Sequence, residues 1–196
     1  MTIKQFNATY MAQEDRILFR FNTQDQSEYR LWFTRRVTLF ILAATSHLLT
    51  KKLEQAHSID AAKALNEFEK QAILDTAKGQ NASGQSYEAG TNFPLGFDPI
   101  LVMDVTCALT KNGEKLAYIE STNNEELDDS VSIDFVLPGG ANLNLNLAGN
   151  MMRGVCFLLD QLRQNALWGE AILTAKNDVE TEVNSDEKKS SNISFH

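Results

Sequence analysis

The chain has only two cysteines, three prolines and three histidines among its 196 residues, and each scarcity closes off a class of protein. Cys107 and Cys156 sit in apolar stretches far apart in sequence, which fits buried, reduced thiols and not a disulfide scaffold. His47, His57 and His196 are not spaced as metal ligands with one another or with either cysteine, so no metal is expected. His47 lies in an apolar helical stretch and is expected to be packed and hydrogen-bonded. The chain has no GxGxxG, P-loop or GxSxG motif, so no cofactor and no enzyme class is indicated.

Long apolar runs are missing too. The longest, VTLFILAATSHLL, contains Ser46 and His47 and falls short of the roughly 20 residues that cross a bilayer, so it reads as a buried helix. The opening MTIKQFNATY has no apolar signal core, so a cytoplasmic location is expected. Positive charge is in short supply: 18 Lys and Arg face 26 Asp and Glu, a formal charge of -8. That balance argues against a whole-surface affinity for nucleic acid or anionic lipid. The deficit is uneven, because residues 1–57 carry 8 basic against 5 acidic side chains while the remainder carries 10 against 21.

What is present is a pattern that occurs twice. RILFRF, a polar turn and EYRLWFT run into the helix RRVTLFILAATSHLL; later VSIDFVL, the turn PGGA and NLNLNL run into AGNMMRGVCFLLDQLRQNALW. Placing Phe33 over Leu147 puts Val37, Ile41, Ala44 and Leu48 over Met151, Val155, Leu158 and Leu162. The alternation in each hairpin has the period of a half-buried strand. Thr34 is positioned to cap the first helix and Asn150 the last. A further short strand is expected near Lys4 to Met11, and a second helix from Asp60 with an inward stripe of Ala61, Leu65, Phe68 and Ala72, closing at Lys78 and Gly79.

These readings predict an α+β protein in the order βββαα, linker, ββββα, with antiparallel sheets packed against helices. One sheet–helix unit spans 1–78 and a second 93–175, joined by the polar, glycine-bearing linker 79–92, and the two units are able to form one compact domain. ILVMDVTCAL is expected as one strand, Asn112 and Gly113 as a hairpin turn, KLAYIES as the return strand and NNEELDD as a solvated loop. The polar segment 176–196 is expected to be a disordered tail.

One constellation stands out as a binding surface. If Ile17, Phe19, Phe21, Tyr29, Leu31 and Phe33 face the helix, alternation sends Arg16, Arg20, Arg30 and Trp32 to the other side, and Arg35 and Arg36 open the helix beside them. Arginine supplies a planar donor fork and tryptophan a stacking surface, a combination used at protein hot spots and on single-strand platforms. Three readings compete: a solvated face whose arginines pair with Glu14, Asp15, Asp25 and Glu28; a contact with a protein partner or a second subunit; and a nucleic-acid platform. The second hairpin instead presents Ser132, Asp134, Val136, Asn142, Asn144 and Asn146, read as an exposed polar face, with a sugar-like or peptide ligand as the minor alternative.

EYRLWFTRR, FPLGFDPILV and LLDQLRQNALW together resemble a proteobacterial protein family of unknown function, over about residues 6–170. The resemblance implies a bacterial, cytoplasmic protein and brings no activity. The repeated sheet-then-helix unit is also similar in outline to the Whirly and PUR single-strand-binding folds, a likeness of topology alone. The leading expectation is a non-enzymatic interaction or scaffold protein, a homo-oligomer or a binder of a protein partner, with no membrane contact. A single-stranded nucleic-acid binder comes second, and an enzyme without a recognisable motif third.

Overall fold

The computed structural model describes residues 3–79, 86–111, 113–115 and 130–169. The first hairpin is built by β1 (Ile3–Met11) and β2 (Arg16–Thr23), and β3 (Glu28–Thr34) pairs on β2. Helices α1 (Arg35–Leu53) and α2 (Ile59–Gly79) follow. After them come β4 (Ile100–Leu101), β5 (Asp104–Lys111), β6 (Glu114–Lys115), β7 (Ser130–Val136), β8 (Asn142–Ala148) and α3 (Gly149–Asn165). The strands form two four-stranded sheets, ordered β1-β2-β3-β4 and β6-β5-β7-β8. All pairs are antiparallel except β3 with β4. The protein is α+β, two sheets with helices packed on them.

The two central hairpins have matching registers. Ile17 opposite Phe33 and Asn22 opposite Glu28 in the first correspond to Val131 opposite Leu147 and Val136 opposite Asn142 in the second. The spacing from Ile17 to Val131 equals that from Phe33 to Leu147. The inward rows are buried in both, with Ile17, Phe21, Leu31 and Phe33 on one side and Val131, Ile133, Phe135, Leu145 and Leu147 on the other. Side chains of both sheets belong to one hydrophobic cluster, and the Phe33 and Phe135 rings meet at 5.5 Å. Burying each such side chain contributes about 1.5–3 kcal/mol.

Helix α1 is apolar around most of its circumference because it packs against β3, β5, α2 and α3 together. The Thr34 hydroxyl accepts from the Val37 amide at 3.4 Å, as its N-cap position predicts. Helix α3 starts two residues earlier than expected. Its N-cap is Ala148, and Asn150 Oδ1 accepts only from the Met151 amide, at 2.7 Å. His47 is exposed, not packed, because it lies on a side of α1 that none of the described elements covers.

Helix α2 also departs from expectation. Its inward side carries Ala62, Leu65 and Asn66 with Glu69, while Ala61, Phe68 and Ala72 face outward. Polar bonds set that rotation: Asn66 Nδ2 donates to Thr50 Oγ1 at 3.1 Å, and Arg153 of α3 pairs with Glu69.

The single strand expected over 100–109 is two strands in two sheets. The Val102 amide donates to the Trp32 carbonyl of the first sheet at 3.0 Å, and the next amide, Met103, donates to the Val136 carbonyl of the second at 2.8 Å. The stretch Ile100 to Val102 is apolar because the chain crosses between sheets through the core there, with Val102 buried at the crossing. Asn112, most of KLAYIES, NNEELDD and the tail from 176 lie outside the described residues. Among the described residues no helix is long and apolar enough to cross a membrane.

Candidate interaction surface on the first sheet

The outer face of the first sheet is arranged in cross-strand rows. Asn7, Arg20 and Arg30 form one; Thr9, Leu18, Trp32 and Leu101 form the next; Met11, Arg16 and Thr34 form the last. Arg20 sits directly opposite Arg30, and like charges in that position repel. Something has to offset them.

The offset is a strap, residues 86–99, laid over this end of the sheet. Tyr87 lies against Arg20, with the guanidinium carbon 5.0 Å from the ring centre. Phe93 and Phe97 take Arg30 at 4.8 and 4.1 Å, with the two rings edge-to-face at 5.2 Å. Cation–π contacts of this kind contribute about 0.5–2 kcal/mol each. Arg20 also donates to Asn7 Oδ1 at 2.8 Å, and Arg30 donates through its second nitrogen to the Phe97 carbonyl at 3.1 Å.

Glu28 joins strap to sheet. Its side chain has no solvent exposure; Oε1 accepts from Arg30 Nε at 2.7 Å and Oε2 from the Gly90 amide at 2.7 Å. The Glu28 amide in turn donates to the Asn92 carbonyl at 2.7 Å. A Cβ at Gly90 would lie 2.5 Å from the Gln26 carbonyl and 2.8 Å from Glu28 Cβ, so only glycine permits this approach. Burial, and after it the charge of Glu28, pushes the Tyr87 hydroxyl up to about 12. At the strap's start, Asn22 Nδ2 donates to the Glu88 carbonyl at 2.6 Å and Lys4 pairs with Glu88 at 2.9 Å. The described part of the expected linker, 86–92, is therefore bonded to the first sheet.

The six arginine and tryptophan positions singled out by sequence divide into two sets. Arg20 and Arg30 are held by the strap. Arg36 ties α1 to the start of β5, donating to Asp104 Oδ1 at 3.3 Å and to the Met103 carbonyl. Arg35 is exposed at the start of α1, and its charge reaches Asp15. Arg16 makes no ion pair among the described residues. It is half-buried in the rows that the strap leaves open, as are its neighbours Leu18, Trp32 and Leu101. Phe97 of the strap, 64% exposed, and Met103, two residues past Leu101 and 49% exposed, add apolar surface.

Of the carboxylates expected to neutralise the arginines, only Glu28 does so. Asp25 is bonded within its own turn by Thr23 and Ser27, and Asp15 is taken by Tyr10 and Trp168. The strap residues Tyr87, Phe93 and Phe97 were the part sequence reasoning missed. Their one signal was three aromatic side chains in a segment otherwise polar and rich in glycine.

On the second sheet Asn142, Asn144 and Asn146 are exposed as expected, but the rest of the expected polar face is not: Asp134 and Val136 are half-buried and Ser132 is buried, because it sits on the inner strand of the pair with Asn144 bonded to its hydroxyl. Asn144 Nδ2 donates to Ser132 Oγ at 2.8 Å and Asp134 Oδ1 at 2.9 Å, and Lys115 pairs with Asp134 at 2.5 Å. Cys107 and Cys156 are free, and burial pushes both thiols up to about 12, which leaves them protonated and unreactive near neutrality. Among the described residues no group of His, Cys, Asp and Glu is placed to hold a metal ion.

No protein-family profile, curated protein or solved structure matches this chain. Its function has to be argued from the geometry above.

Proposed function

We propose that this protein is a non-enzymatic interaction module that takes an acidic segment of a partner protein, one also bearing apolar side chains, on the half of the first sheet's outer face that the strap leaves open. One observation carries the reading. The strap takes up Arg20 and Arg30, yet Arg16 has no ion pair among the described residues and stands beside the half-buried apolar row Leu18, Trp32 and Leu101. A partner's apolar side chains suit that row, and its carboxylates suit Arg16 and exposed Arg35. A single-stranded nucleic acid suits the surface less well, because Arg20, Arg30 and Arg36 already have protein partners and the chain carries -8 overall.

The test is fluorescence anisotropy with three labelled probes: an alternating Glu/Leu peptide, its Gln/Leu counterpart, and oligothymidine. The Glu/Leu peptide should bind saturably, more weakly as salt is raised, and at least tenfold more weakly to Arg16→Glu. Equal binding of the Gln/Leu peptide removes the electrostatic half of the proposal. Oligothymidine binding that Arg16→Glu abolishes replaces it with the nucleic-acid reading.

A further inference from the structure

Each sheet has two edge strands, and an edge strand offers unpaired N–H and C=O groups that natural proteins guard with shortness, charge, bulges or a covering segment. Among the described residues, three of the four edges are guarded. Strands β4 and β6 are two residues long, and β6 consists of Glu114 and Lys115. Strand β1 carries Lys4 and a register shift between Ile3 and Gln5, and its Gln5 side chain is bonded to the strap at Ser86 and Glu88.

The fourth edge, β8, has none of these devices among the described residues. It is seven residues long, Asn-Leu-Asn-Leu-Asn-Leu-Ala, without charge or proline, and its register with β7 runs unbroken from Ser130 opposite Ala148 to Val136 opposite Asn142. Among the described residues β7 is its only strand neighbour. Asn142, Asn144 and Asn146 are exposed on its outer side; on its inner side Leu145 and Leu147 are buried and Leu143 is half-buried.

We infer that β8 is a strand-addition edge whose occupant is β8 of a second copy of this chain, paired antiparallel about a two-fold axis to make one continuous eight-stranded sheet. The sequence of the strand selects that occupant. A register centred on Leu145 sets Asn144 against Asn146 of the second copy and Leu143 against Leu147 of the second copy, so both faces match like with like. Two chains of charge -8 repel over most of their surfaces, and this strand brings no charge of its own to the junction. The carboxylate nearest to it along the sheet, Asp134, is already paired with Lys115. Pairing satisfies the edge amides and carbonyls, covers Leu143 and aligns two rows of asparagine. This surface is separate from the one assigned to the partner protein, and neither proposal depends on the other.

The test is light scattering on the eluting chain over a wide range of concentration, for the wild type, Asn146→Lys and Arg16→Glu. The wild type should approach twice the 21.9 kDa chain mass as concentration rises. Asn146→Lys should shift that midpoint upward at least tenfold, and Arg16→Glu should leave it unchanged. Backbone hydrogen exchange on the wild type, run at low and high concentration, gives a readout that needs no variant, with β8 amides gaining protection at high concentration. A wild type that stays monomeric throughout overturns the inference. So does a dimer that Arg16→Glu abolishes and Asn146→Lys does not, or one that forms without protecting β8.

Discussion

The Trp168 indole donates to Asp15 Oδ1 at 2.8 Å, joining the segment just past α3 to the turn between β1 and β2. Leu167, at φ 55°, turns the chain so that Trp168 is directed inward and only 3% exposed. Asp15 also accepts from the Tyr10 hydroxyl at 2.9 Å, and the Tyr10 and Trp168 rings meet edge-to-face at 5.6 Å. Two ends of the chain separated by most of its length are thereby fastened at one carboxylate.

That fastening has a pH signature. The indole hydrogen bond first, and the Tyr10 hydroxyl second, hold the Asp15 carboxyl below its ordinary range. A depressed folded pKa contributes stability that is present above the unfolded value, about 3.9, and is lost as pH falls through the folded value. Asp15→Asn should therefore be less stable than wild type near neutrality, with the gap closing on acidification below about pH 4. Denaturant melts at a series of pH values measure this. A gap that does not change with pH would show that the carboxylate's ionisation is not coupled to folding.

The tryptophan itself should matter more than its hydrogen bond. Trp168→Ala removes a nearly fully buried ring and is expected to cost about 3–5 kcal/mol, whereas Trp168→Phe keeps most of the area, loses mainly the bond to the exposed Asp15 carboxylate and should cost clearly less. Equilibrium denaturation of both variants separates area from hydrogen bond. Equal losses would place the whole effect in the hydrogen bond.

Gly90→Ala tests the strap. Its new methyl group would meet the Gln26 carbonyl and Glu28 Cβ well inside van der Waals contact, so the strap has to shift and release the Gly90–Glu28 bond. Overpacking of this kind costs about 1–3 kcal/mol. Limited proteolysis should then cut within 86–99 faster than in the wild type. Unchanged cleavage would mean that the strap is held by its aromatic side chains alone.

Arg30→Ala leaves the Glu28 carboxylate buried without its cation and should cost about 3–5 kcal/mol. Adding Glu28→Gln should recover part of that loss, since a neutral amide in the same place tolerates burial better. A double-mutant cycle on melting curves reads the coupling directly. Strict additivity would show that ring contacts, not the ion pair, hold Arg30.

Much of the architecture was legible in the residues, for physical reasons. Ile17, Phe19, Phe21 and their partners alternate because one face of the sheet is buried, and a one-residue slip would expose all of them. The break between β4 and β5 was hidden because Val102 is apolar on the way out of one core surface and into another. The face of α2 was hidden because Asn66 and Glu69 turn inward only once Thr50 and Arg153 are in place. The strap was hidden for a similar reason: its anchors are a glycine amide, isolated carbonyls and rings placed over arginines, none of which leaves a period in sequence. The outer-face composition predicted a binding surface of six residues, and long-range contacts then divided them.

The most direct measurement of that division compares Arg16→Ala with Arg30→Ala in two assays, denaturant stability and anisotropy with the Glu/Leu peptide. Arg16→Ala should leave stability within about 0.5 kcal/mol of wild type while weakening peptide binding severalfold. Arg30→Ala should lower stability by several-fold more than that, because Arg30 belongs to the fold. An Arg16→Ala variant that melts as early as Arg30→Ala, or that binds the peptide unchanged, would contradict the assignment of Arg16 to a partner and of Arg30 to the strap.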